Sequence, residues 1–178
     1  MPATQSHPDP NPPREPATDL AFTLIIPAYN ESQRLPPYLE TIRPYTDRCY
    51  ADNYEVIVVD DGSSDQLEKT LAELTHAWPQ LHVLRHARNL GKGAAVWTGV
   101  MAARGQRLLY ADADGATSIE EERGLRAALD AGADLAVGSR LVAGKGVVRN
   151  RSWHRALIGR LFALVAHLLL PIPVRDTQ

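Results

Sequence analysis

Apolar residues cluster in five short runs, at 21–27, 54–60, 81–84, 107–111 and 134–138. Several are apolar almost throughout, the pattern of strands buried on both faces of a sheet. The segments between them change to helical spacing and predict helices over about 33–48, 65–77, 92–104 and 118–131. Ser118, with Glu121 three residues on, has the spacing of a capping box for the fourth helix. Strand–helix alternation of this kind predicts an α/β fold with a largely parallel sheet.

Residues 1–20 stand apart. They hold six of the 13 prolines (Pro2, Pro8, Pro10, Pro12, Pro13 and Pro16) and no apolar run. They read as a disordered, polyproline-prone tail, neither signal peptide nor anchor. Residues 21–178 then form one domain, long enough to bury a real core. The single cysteine, Cys49, excludes an internal disulfide and fits a reducing compartment. No apolar run reaches the roughly 18 residues of a membrane span.

In a parallel α/β sheet, ligands sit at the carboxyl ends of the strands. The residues there are Pro27-Ala28-Tyr29-Asn30-Glu31, Asp60-Asp61-Gly62-Ser63-Ser64-Asp65, the stretch from His86 to Gly93, Asp112-Ala113-Asp114-Gly115 and Gly138-Ser139-Arg140. Asp112 and Asp114 repel each other in one cleft unless a hard divalent cation, Mg²⁺ or Mn²⁺, sits between them and a diphosphate. The same residues also suit an ordinary turn with a helix cap. Asp60 and Asp61 fit hydrogen bonds from a base or ribose, or a tight turn opening the next helix. The stretch 88–93 fits a phosphate loop at a helix N-terminus, or a surface turn. It is not a Walker A loop, given His86 and Gly93, nor a G-x-G-x-x-G loop, given Val96.

Taken together and in this order, Ile25-Ile26-Pro27-Ala28-Tyr29-Asn30-Glu31, Val58 to Asp65, Asn89-Leu90-Gly91-Lys92-Gly93, Asp112-Ala113-Asp114-Gly115 and Gly138-Ser139-Arg140 resemble glycosyltransferase family 2. Those are inverting enzymes of the GT-A fold, a Rossmann-like three-layer α/β/α arrangement with a mostly parallel central sheet. Asp112 to Thr117, Arg151-Ser152-x-x-Arg155 and Arg175-Asp176-Thr177-Gln178 look like the dolichyl-phosphate β-glucosyltransferases. The related dolichyl-phosphate mannosyltransferases usually carry Gln where this chain has Ala116.

The resemblance implies transfer of a hexose, glucose from UDP-glucose first, to a polyprenyl or dolichyl phosphate. It implies that Pro27, Ala28, Tyr29, Asn30, Glu31, Asp60, Asp61, Lys92, Asp112 and Ala113 bind the nucleotide, with Lys92 near the base edge. Asp112 and Asp114 would hold Mg²⁺ or Mn²⁺. With Arg140 they form the catalytic set. The family continues past Asp-Thr-Gln, so the acceptor side is expected to end early here, and a nucleotide-sugar-binding fragment with little transfer activity is the alternative. A haloacid-dehalogenase-type phosphatase would also place Asp-x-Asp after a strand. It wants Thr or Val at position 116 and its nucleophile on the first strand, whereas Asp112 follows the fourth run.

Charge fits this picture. The net charge of −2 argues against nucleic acid as a partner. Yet residues 139–178 carry seven positive side chains against Asp176 alone, a net +6, leaving −8 on the first 138 residues. Arg149, Arg151 and Arg155 are candidates for the acceptor phosphate, because guanidinium binds phosphate in bidentate fashion. Within 149–170, Trp153, Leu157, Leu161, Leu164 and Leu168 recur at helical spacing. That is a basic amphipathic segment suited to the cytoplasmic face of a membrane, or a core-packing helix.

Overall fold

The structure is a computed structural model and describes residues 20–138. The chain divides into two compact units, Met1–Glu122 and Arg123–Gln178. The proline-rich tail apart from Leu20, the basic segment at 149–170, and Arg140, Arg149, Arg151 and Arg155 lie outside the described residues.

The first unit is built on four parallel strands: β1 (Leu20–Ala28), β2 (Tyr54–Asp60), β3 (Leu81–Arg85) and β4 (Gly105–Tyr110). Helices α1 (Leu35–Tyr50), α2 (Leu67–Ala77) and α3 (Lys92–Ala102) alternate with them. The four strands and three helices predicted over this stretch are present, with ends shifted by a few residues. The sheet order is β3-β2-β1-β4. The chain therefore steps outward from β1 in one direction, then returns to its other side.

β1 and β2 are the apolar centre. Every residue of β2 is buried, Glu55 included. Phe22, Leu24, Ile26 and Ala28 of β1 pack with Tyr54, Val56 and Val58 against α1 and α2 on one face. Ile57 and Val59 meet Ala95 of α3 on the other. That helix turns small residues inward, and a Cβ on Gly99 would stand 2.4 Å from Ile25 Cγ2. The buried Glu55 is matched by Thr23 Oγ1 at 3.0 Å and by the Arg104 backbone N–H and guanidinium at 2.7 and 3.1 Å. An ionised buried carboxylate is tolerated only with such partners.

Two ladders on β1 have different lengths. The ladder with β2 runs to Ala28↔Asp60, whereas the ladder with β4 stops at Ile25↔Tyr110. Pro27, which has no N–H, lies just past the β4 ladder. The strands part there, and the parting is at the switch point of the sheet, where open α/β folds bind ligands.

Two local expectations differ. Ser118 opens a 3-10 turn (Ile119–Glu121) rather than the helix itself, and makes no side-chain cap bond. Its hydroxyl turns to Glu120 instead. The helix α4 (Glu122–Asp130) follows. In the second unit, the apolar run at 134–138 is not a strand; Leu135 and Val137 are 74% and 53% exposed. A strand needs a ladder neighbour, and this run has none among the described residues.

Candidate active site at the parted strand ends

A cavity of about 330 Å³ opens where β1 and β4 separate. Its walls are Pro27, Ala28, Tyr29 and Glu31 after β1, Asp61 after β2, Asn89, Gly91, Lys92 and Ala95 at the start of α3, and Asp112, Ala113 and Asp114 after β4. Nine of the residues expected to meet the nucleotide or the metal thus converge, from four segments of chain. The volume lies at the lower end for small-molecule sites.

Asp61 is the anchor of one wall. Its Oδ1 accepts the N–H of Leu90 at 2.9 Å and its Oδ2 that of Gly91 at 2.7 Å. His86 Nδ1 lies 2.6 Å from Oδ1, and Nε2 lies 2.9 Å from Thr98 Oγ1. A carboxylate only accepts, so the Nδ1 facing it carries a proton. Burial pushes the Asp61 carboxyl up, but the Leu90 amide, His86 and the Gly91 amide outweigh it and hold it below the ordinary carboxylate value. The neighbouring Gly62 has φ +70°, and a Cβ there would stand 2.5 Å from the Arg88 carbonyl carbon. The 61–62 turn and the 88–91 loop therefore fit only as a pair.

Asp60 and Asn30 lie off the cavity. Asp60 is 1% exposed, and its Oδ1 accepts the Ser63 N–H at 2.8 Å. Its Oδ2 takes no hydrogen bond but has the Arg85 guanidinium at 3.4 Å. Asn30 stitches the β1 end to the next loop: its N–H donates to Ser63 Oγ at 2.9 Å and its Oδ1 accepts the Ser64 N–H at 2.9 Å. Asp65 likewise accepts the Ser32 N–H at 2.9 Å. These are turn-building roles. Successive side chains at a strand end point to opposite sides, which is why Asp61 reaches the cavity and Asp60 does not.

The opposite wall is acidic. Asp112 and Asp114 are exposed, and Ala113 between them is buried in the core. Lys92 Nζ lies 2.5 Å from Asp112 Oδ1 and 5.8 Å from the centre of the Tyr110 ring. The loop N-terminal to α3 and the loop after β4 thus meet through one ion pair. Among the described residues no third His, Cys, Asp or Glu joins the two carboxylates. On the β1 side, Glu31 Oε1 binds Arg34 at 2.6 Å, while Oε2 is buried without a hydrogen-bond partner.

The sequence model described as glycosyl transferase family 2 matches residues 23–175. The chain belongs to that family. It is 36% identical over 176 residues to a dolichyl-phosphate beta-glucosyltransferase of Drosophila melanogaster, covering 92% of this chain and 54% of that protein. It is 34% identical over 172 residues to the human protein of the same name, covering 88% and 52%. A polyprenol monophosphomannose synthase of Mycolicibacterium smegmatis is 37% identical over 157 residues, covering 86% and 57%. Among solved structures, S. aureus TarS 1-349 superimposes with a TM-score of 0.51 at 26% identity, over 63% of this chain and 33% of that one. The fold is the GT-A arrangement, and this family 2 chain spans about half the length of the curated relatives it matches.

Three groups around the family 2 site were assigned no role from the sequence. His86 sits among the loop residues but pairs with Asp61, far away in the chain. Tyr45 and Tyr50 donate to the buried Glu122 at 2.6 Å each, and Tyr38 donates to the Thr117 carbonyl at 3.2 Å.

Proposed function

We propose that this chain carries the nucleotide-sugar site of an inverting glycosyltransferase that moves a hexose onto a polyprenyl or dolichyl phosphate. Glucose from UDP-glucose is the favoured donor. The observation that carries the reading is the convergence of Asp61, Lys92, Asp112 and Asp114 on one cavity at the parted strand ends. The names of the relatives support the lipid-phosphate acceptor.

The donor set suits a divalent ion. Two exposed carboxylates offer hard oxygen ligands, and the absence of a third such residue among those described leaves positions for water and substrate oxygens. That is how Mg²⁺ and Mn²⁺ are usually held beside phosphates. Asp112 and Asp114 would hold the ion, which would stabilise the charge of the departing nucleotide diphosphate. Lys92, paired with Asp112, is within reach of the same diphosphate. Asp61 and the buried Glu31 Oε2 accept hydrogen bonds from donors of a base or ribose.

In the reaction the anomeric carbon loses its bond to the nucleotide diphosphate oxygen, which leaves with the electron pair. An acceptor phosphate oxygen forms the new bond on the opposite face, so configuration inverts. A phosphate monoester is largely ionised at neutral pH, since its second pKa is about 6. A dedicated general base is not needed. Arg140, Arg149, Arg151 and Arg155 are proposed to gather the acceptor phosphate, and the basic segment at 149–170 to lie on the cytoplasmic membrane face. Among the described residues no helix is long and apolar enough to cross a membrane.

Calorimetric titration of UDP and GDP, with Mn²⁺ and with chelator, tests the site. UDP is expected to bind more tightly with Mn²⁺, and the gain to vanish in Asp114→Ala. An undiminished Mn²⁺ effect in that variant removes the metal role, and a preference for GDP moves the sugar to mannose. Transfer from radiolabelled UDP-glucose to dolichyl phosphate then separates an enzyme from a binding module.

A further inference from the structure

Helix α1 touches the chain that follows the acidic wall at four points. The Tyr38 ring packs against Gly115, where a Cβ would stand 3.2 Å from Tyr38 Cδ2. The Tyr38 hydroxyl donates to the Thr117 carbonyl at 3.2 Å. Tyr45 and Tyr50 each reach Glu122 at 2.6 Å. Ala113 and Ile119 are buried in the same cluster as Tyr38. Tyr38 is the one of these tyrosines next to the carboxylates. Burial, then Asp114, Asp112 and Glu120, push its hydroxyl up to about 12, so it stays a donor at every working pH.

Gly115 has φ +64°, a turn that side chains with a Cβ rarely adopt. The turn sends the chain back over the Tyr38 ring one residue after Asp114. A floor beneath the turn and a hydrogen bond two residues beyond it leave the Asp112–Asp114 segment little freedom. Two carboxylates that repel each other need such an outside constraint to hold a common ligand geometry.

We propose that Tyr38 is a positioning residue for the Asp112 and Asp114 carboxylates, acting through its ring under Gly115 and its hydroxyl on Thr117. It touches no substrate atom. This rests on the reading of Asp112 and Asp114 as metal and diphosphate ligands.

The test compares the Mn²⁺-dependent gain in UDP affinity in four variants. Loss of a group that orients metal ligands costs about tenfold at the low end. Tyr38→Phe is expected to lose about that factor from the gain, while affinity in chelator stays unchanged. Tyr54→Phe is the control for general destabilisation. Tyr54 donates to Asp47 at 2.5 Å and accepts from Trp78 at 2.9 Å, off the cavity, and its loss should lower the melting midpoint without changing the gain. Gly115→Ala keeps the hydroxyl but lifts the turn off the ring, and should move the gain in the same direction as Tyr38→Phe. An unchanged gain in Tyr38→Phe, or equal losses in Tyr38→Phe and Tyr54→Phe, overturns the proposal. Asp114→Ala is the fourth arm: if it leaves the gain intact, the metal reading itself fails, and that result is distinct from a failure at Tyr38 alone.

Discussion

Gly91 donates its backbone N–H to Asp61 Oδ2 at 2.7 Å, tying the loop that opens α3 to the end of β2. With Leu90 on Oδ1, the carboxylate closes a clamp that an amide side chain cannot copy. Asp61→Asn presents an NH₂ group to one of two N–H donors. The loss is expected to be about 1.5–3 kcal/mol, the worth of a hydrogen bond to a charged acceptor. Thermal unfolding checks it. The sign with pH is fixed as well. The native Asp61 carboxyl sits below its ordinary value of 3.8. Its contribution is therefore complete above that pH and lost only as pH falls through the lower native value. Asp61→Asn should flatten the acid limb of the stability curve.

Gly62 bears the same clamp from the other side. Gly62→Ala forces a left-handed residue to carry a Cβ, at about 1–2 kcal/mol, before the clash with Arg88 is counted. The expected result in urea is a lower midpoint with unchanged slope. A variant as stable as the parent would mean that the 88–91 loop moves aside freely.

Lys92→Ala should have two effects of opposite sign. Its partner Asp112 is half exposed, so their ion pair contributes little to folding. Removing the ammonium frees the carboxylate for Mn²⁺ alone, tightening that binding by up to about fivefold, the upper range for an exposed pair. Nucleotide diphosphate binding should weaken, because a cation near its oxygens is gone. Titrating Mn²⁺ and UDP separately reads the two signs.

Glu122→Gln probes the far end of the α1 contacts. A glutamine has one acceptor oxygen for two tyrosine hydroxyls, so the other must turn to accept from the NH₂ and its own proton loses this acceptor. The buried mismatch should cost about 1–3 kcal/mol. The melting midpoint should drop, with the Mn²⁺ effect on UDP retained, since Glu122 lies beyond the Gly115 turn.

Most of the fold was legible because β1 and β2 are apolar on both faces, and because the runs alternate with helical segments. Pro44 lies inside α1 without ending it, since the buried face from Leu35 to Tyr45 holds the helix. The run at 134–138 carried the same apolar signal but depends on a neighbour, which a local pattern does not encode. Tyr29, Glu31, Asp61, Lys92, Asp112 and Asp114 could be grouped from the sequence because strand ends gather ligand groups, and they line one cavity. Asp60 and Asn30 were assigned with them because adjacent residues look alike in a motif, although the pleat turns Asp60 away and Asn30, at φ +56°, is tied to Ser63 and Ser64. His86, Tyr38 and Glu122 were missed because each acts on a partner distant in the chain.

The sheet order has a kinetic consequence. β1, β2 and β3 are consecutive in sequence and adjacent in space, whereas Leu20 finds Gly105 only after everything between has been threaded past. Closing that long loop is the slow entropic step. The wall holding Asp61 is therefore expected to form early in refolding, and the wall holding Asp112 and Asp114 last. Stopped-flow refolding should show tyrosine and tryptophan burial ahead of competence to bind UDP with Mn²⁺, and simultaneous appearance of the two would argue against this order.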